Sequence, residues 1–172
     1  MRILVLGVGN ILLSDEGIGV RIVEALEQRY HLPECVEVLD GGTAGMELIG
    51  PMADRDHLII ADVVLSSQQA GSILVLRDDE VPALFTRKIS PHQLGLSDVL
   101  SALHLTDEFP QRLTLVGVVP GSLEPHIGLT AIGQAALEPA LQKVIEVLRS
   151  EGLEIIAKEE SLHAGWHLRL WN

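Results

Sequence analysis

The sequence predicts a single α/β domain, a twisted and mostly parallel five-stranded sheet with helices on both faces. Three observations carry that reading. Short runs that are almost wholly apolar, rich in β-branched residues and leucine, recur along the chain, as strands buried on both sides require. Between them lie stretches whose apolar residues repeat at helical spacing. The two kinds of segment alternate, with no internal repeat and no low-complexity linker, which points to a parallel sheet covered by its own crossovers. With 172 residues, 47% of them hydrophobic, the chain is long enough for one sizeable core and short for two.

The elements follow in order. Arg2 to Val8 is a continuous strand run ending in Gly7-Val8-Gly9, and a helix is expected from about Asp15 to Tyr30. Ile18, Ile22, Ala25 and Leu26 form its apolar stripe, Ser14 or Asp15 its N-cap, and acids occupy its first turn. Val36 to Leu39 makes a second strand closing on the turn Asp40-Gly41-Gly42, and Met46 to Met52 a brief helix. Strands are expected at His57 to Val64 and Ser72 to Arg77, the latter after a polar turn through Ser66 to Gly71. His92 opens a helix carrying Leu96, Val99, Leu100 and Leu103, and Leu113 to Val119 is the last strand, stopping at Pro120-Gly121. The final helix spans about Thr130 to Arg149, and Pro139, lacking an amide donor, is expected to kink or split it. Residues 1–150 thus form the domain. The tail, 151–172, drops the periodic pattern and holds both tryptophans, Trp166 and Trp171.

A formal net charge of −12 repels nucleic-acid phosphates and anionic lipid, so neither nucleic acid nor a membrane surface is an expected partner. No apolar run approaches the roughly 20 residues that cross a bilayer. The lone Cys35 has no intramolecular disulfide partner, and the apolar N-terminus lacks the flanks of a signal peptide. A cytoplasmic protein is expected.

In open α/β sheets, binding groups gather at the carboxyl ends of the strands. Glu16 follows the first strand, Asp40 ends the second, Asp62 lies at the end of the third and His92 begins a helix that can pack beside them. Glu16, Asp62 and His92, brought together in space, would make a hard-to-borderline divalent-metal site with open positions. Each also has a plainer explanation: Glu16 as an end charge on a helix, Asp62 as a strand-end cap outside the core, His92 as a surface histidine. For Asp40 with Gly41 and Gly42, a tight turn needing glycine dihedrals ranks ahead of any catalytic role. Dinucleotide binding is the rival suggested by Gly7-Val8-Gly9 and Asp40. Against it, Leu12 stands where the third glycine of that fingerprint belongs, and Asp15 and Glu16 occupy the helix start that should receive a pyrophosphate.

Gly-Asn-x-Leu-x-x-Asp-Glu-Gly-x-Gly at 9 to 19, Asp-Gly-Gly-Thr-Ala-Gly at 40 to 45, Ser-Pro-His at 90 to 92 and Gly-x-x-Pro...Glu...Gly-Leu-Thr through 117 to 130 resemble the hydrogenase maturation proteases, over roughly residues 1 to 150. The resemblance implies a cytoplasmic endopeptidase that clips a C-terminal extension from the nickel-iron hydrogenase large-subunit precursor after nickel loading. It assigns the metal-contacting and catalytic roles to Glu16, Asp62 and His92, and substrate recognition to Asp40, Gly41 and Gly42. Nickel would be supplied by the substrate, with another divalent ion able to substitute. Either the metal or a carboxylate acting as base would activate water, giving a metal-dependent or aspartic type. A pure dyad of Glu16 and Asp62 leaves His92 without a task, and no Asp-Thr-Gly loop accompanies it. A noncatalytic nickel-checkpoint chaperone for the same precursor is the alternative from another class. Many relatives follow the third-strand Asp with Ala-Val-Asp-x-Gly, whereas Val63-Val64-Leu65-Ser66-Ser67 stands here, so that second acid is absent.

Overall fold

The computed structural model describes residues 1–85 and 91–158, without the side chains of residues 85, 91, 92 and 94. Its sheet has five strands in the order β3-β1-β4-β6-β5. The strands are β1 (Ile3–Val8), β3 (Val36–Gly42), β4 (His57–Val63), β5 (Ile73–Arg77) and β6 (Arg112–Val118). Within this sheet, among the described residues, the pairings are parallel except that of β5 with β6. The helices are α1 (Ile18–Arg29), α2 (Ile49–Met52), α3 (Glu80–Phe85), α4 (Pro91–Leu105) and α5 (Ala131–Ser150). The helix α3 was not foreseen from periodicity, since six residues are too few to display one.

The central strands β1 and β4 are buried along their whole length, and alternate side chains feed two separate cores. Ile3, Val5, Ile59 and Ala61 meet Ile22 and Leu26 of α1 and Leu141, Val144 and Ile145 of α5 on one face. Leu4, Leu6, Leu58 and Ile60 meet Leu48, Met52, Leu96, Val99 and Leu103 on the other. At about 25 cal/mol per Å² of apolar surface, this double burial is the main force holding the sheet.

Four expectations need correction. The segment 14–17 is a 3-10 turn, and α1 begins only at Ile18. Neither Ser14 nor Asp15 caps α1, because Ser14 takes a left-handed backbone (φ 53°) and its hydroxyl donates to Glu124 O at 2.6 Å, while Asp15 turns toward another loop. The residues Asp40 to Gly42 are not a turn beyond the second strand but its last paired residues, matched to Gly7 and Val8 of β1 across a register shift. Finally, α5 runs unsplit through Pro139. Residues beyond the proline, including Ala140, Leu141, Val144 and Ile145, are fully buried, and that packing outweighs one missing backbone hydrogen bond.

The first residues of the tail pack on the body. Glu151 binds Arg112 through two hydrogen bonds and His57 Nδ1 at 2.5 Å, Ile155 is buried, and β7 (Ile156–Ala157) pairs antiparallel with β2 (Tyr30–His31). Trp166 and Trp171 lie outside the described residues.

Candidate active site

The crevice lies at the carboxyl ends of β1 and β4. The chain leaves β1 for α1 on one face and leaves β3 for α2 on the other, so this is where an open sheet leaves a gap between diverging loops. Gly9 starts the β1 loop with φ 134°, and its amide donates to Gly42 O at 2.7 Å. The 3-10 turn of residues 14–17 follows, and Gly19 then brings the start of α1 directly onto β4. A Cβ on Gly19 would sit 2.1 Å from Ala61 O and 2.5 Å from Val8 O, distances that only glycine tolerates. Glu16, 7% exposed, is thereby fixed in the turn packed against β4, the strand that carries Asp62 near its end.

Asp62 is not a cap outside the core. It is wholly buried, and both carboxylate oxygens accept hydrogen bonds: Oδ1 from Val63 N at 2.8 Å, Oδ2 from Gln93 Nε2 at 3.1 Å. Gln93 stands in the first turn of α4, beside His92. The side chain of His92, like Ser90 before it, lies outside the described residues. Gly95 of the same turn meets the loop that follows β3, where a Cβ would come 3.1 Å from Gly45 Cα. Three loops therefore converge: the one with Glu16, the end of β4 with Asp62, and the start of α4 with His92.

Asp40 is exposed at the rim, and its Oδ1 accepts from Gly42 N at 2.9 Å. Gly41 is buried against Leu6 and Val8, and Gly42 has φ 50°. Between this loop and the segment Gly9 to Leu12 runs a cleft of about 300 Å³. Among the described residues no group of three His, Cys, Asp or Glu side chains is placed to hold a metal, and the His92 ring is not one of those described.

Two residues matter more than sequence reasoning allowed. Asp15, read as a first-turn acid, is fully buried and accepts from Gly121 N (2.8 Å), Thr130 N (2.8 Å) and Thr130 Oγ1 (2.6 Å). In a 3-10 turn, successive side chains diverge by about 120°, so adjacent acids face different partners. Thr130 caps α5 by accepting from Gly133 N, and Gly133 leaves room for Asp15, since a Cβ there would lie 2.2 Å from Oδ1. The paired acids and the Thr-x-x-Gly were the available signals. Gln93 is the second, visible in sequence only as the neighbour of His92.

The family model for hydrogenase maturation proteases, named HycI, matches residues 20–147. The chain belongs to that family. It is 71% identical to the hydrogenase 2 maturation protease of Escherichia coli over 160 residues, covering 92% of this chain and 98% of the relative. It is 44% identical to the hydrogenase expression/formation protein HupD of Rhizobium leguminosarum, over 92% of this chain and 80% of that one. Among solved structures, the hydrogenase maturating endopeptidase HybD of E. coli superposes with a TM-score of 0.91 at 68% identity, over 93% of this chain and 99% of that chain. The hydrogenase maturation protease HybD of Thermococcus kodakarensis, at 23% identity and TM-score 0.71 over 86% of this chain and 99% of that chain, shares the fold. This member of the family is accordingly a hydrogenase maturation endopeptidase with the fold expected from its sequence. The dinucleotide reading falls with that finding. No helix among the described residues is long and apolar enough to cross a membrane.

Proposed function

We propose that this endopeptidase removes the C-terminal extension of the nickel-iron hydrogenase large-subunit precursor after nickel insertion, and that Glu16, Asp62 and His92 recognise the metal. The observation that carries the reading is the buried Asp62 carboxylate, ending β4 beside the Glu16 turn and tied to the very turn of α4 that bears His92. A buried carboxylate is costly unless hydrogen-bonded, paired or bound to a cation. Two carboxylates and one imidazole suit a borderline divalent ion, and so small a donor set leaves room for ligands brought by the substrate.

In this scheme nickel arrives as part of the substrate, and the precursor is held only when its metal can complete its shell on the enzyme. Another divalent ion can occupy the same donors. Asp40 and Gly42 line the approach, with the exposed Asp40 carboxylate at the rim and Gly41 buried beneath it, and the three together position the extension. A carboxylate of the pair, Glu16 or Asp62, takes the proton of the attacking water as general base. The enzyme is then of the metal-dependent or aspartic type and acts where hydrogenases are assembled, in the cytoplasm.

The test is to incubate the protein with nickel-loaded and with nickel-free precursor and to follow precursor mass. Loss of the C-terminal extension from the loaded form alone is expected. Binding without mass loss would replace the reading with a noncatalytic checkpoint, and equal cleavage of both forms would remove the metal from it.

A further inference from the structure

We propose that Gln93 is a positioning residue for the reaction, one that fixes the Asp62 carboxylate and sets its spacing from His92. This rests on the assignment of Asp62 and His92 above. Gln93 is 3% exposed, and its side-chain nitrogen spends both hydrogens at one place: one on Asp62 Oδ2 at 3.1 Å, the other on the main-chain oxygen of Val63 at 3.2 Å. Two acceptors face the same atom, so the amide can lie only with its nitrogen toward the strand, because its oxygen would meet two oxygens there.

The consequence is geometric. Val63 N holds Asp62 Oδ1 from within β4, and Gln93 holds Oδ2 from α4, so the plane of the carboxylate is set by donors on both of its oxygens. Rotation of Asp62 about its side-chain torsions breaks one or both. The same bridge pins the first turn of α4, and with it the backbone of His92, to the end of β4. Gln93 touches neither substrate nor water in this account. It acts through Asp62 and through the turn that carries the imidazole, as outer hydrogen bonds do around metal-binding groups.

Residue type follows from the same contacts. Methionine matches glutamine in length and offers no donor. Glutamate matches its shape and sets an oxygen against two acceptors. In full-length protein acting on nickel-loaded precursor, Gln93→Met is expected to lower kcat roughly 10–100-fold, the range typical of outer hydrogen-bond partners, with KM within about threefold of the parent. Gln93→Glu is expected to lose at least as much. Rates are taken per folded molecule, with the folded fraction from circular dichroism, so that simple destabilisation is divided out. Should Gln93→Met fail to fold, Gln93→Glu gives the same kcat against KM comparison. Parental kcat in a folded variant, or a defect confined to KM, overturns the proposal. Asp62→Asn run in parallel separates the two levels: full processing by Asp62→Asn overturns the site itself, whereas an inactive Asp62→Asn beside a fully active Gln93→Met overturns only the role of Gln93.

Discussion

Replacing Asp15 by alanine should loosen the wall of the site by freeing the start of α5 from the 3-10 turn. The carboxylate accepts three hydrogen bonds, from Gly121 N, Thr130 N and the Thr130 hydroxyl, and is itself fully buried. Hydrogen bonds to a charged group contribute about 1.5–3 kcal/mol each. Gly121 is exposed and Thr130 partly so, and their freed donors can reach water, which argues for the low end of that range. Three bonds at that end give about 4.5 kcal/mol, and for a chain of this size each kcal/mol lowers Tm by about 2–4 °C. Asp15→Asn keeps most of the shape. Whichever way its amide lies, one of its N–H groups faces an N–H or O–H donor, for a loss on the order of 2 kcal/mol. Urea titration of the parent and both variants measures the differences. The ordering parent, asparagine, alanine is the expected result, and an Asp15→Ala midpoint within about 1 kcal/mol of the parent would refute the account of Asp15 as the clamp between the 3-10 turn and the start of α5.

Gly19→Ala should be strongly destabilising or insoluble, because the new methyl would have to enter the backbone of both β1 and β4; a soluble variant with a parental melting curve would show that the turn can retreat. Stability should fall in acid in two steps. Burial holds the His57 imidazole below its ordinary value near 6.5, against the pull of Glu151 upward, so below about pH 6.5 the unfolded chain takes up a proton that the folded chain refuses. Hydrogen bonds from Arg112 and His57 hold Glu151 below its ordinary value near 4.5 despite burial, so its contribution, present above about pH 4.5, is lost as pH drops through the folded value. Urea midpoints against pH should show both limbs, and Gln at position 57 should erase the upper one, with an unchanged upper limb counting against the assignment. Asp62→Asn and His92→Ala are each expected to abolish precursor processing with far-UV circular dichroism unchanged, and full processing by both would dissolve the proposed site.

Much of this molecule was legible in its sequence, since hydrophobic pattern is local information. A run such as Ile3 to Val8 has no polar face to show water, and so must be a strand covered twice; the stripe through Ile18, Ile22 and Leu26 can only be a helix lying on it. From strand ends alone, Glu16, Asp62 and the turn of His92 could be assigned to one edge; the fold packs the Glu16 turn against β4 and ties Gln93, the neighbour of His92, to Asp62. What pattern could not decide was which way adjacent polar residues point. Asp15 and Glu16 look alike in a string of letters, yet the 3-10 turn aims one at Thr130 and seats the other beside β4. The burial of Asp62, its bridge through Gln93, and the passage of α5 across Pro139 likewise depend on partners 30 or more residues away or on packing summed over a whole helix. A carboxylate's partners are chosen by three-dimensional proximity, which no spacing along one chain encodes.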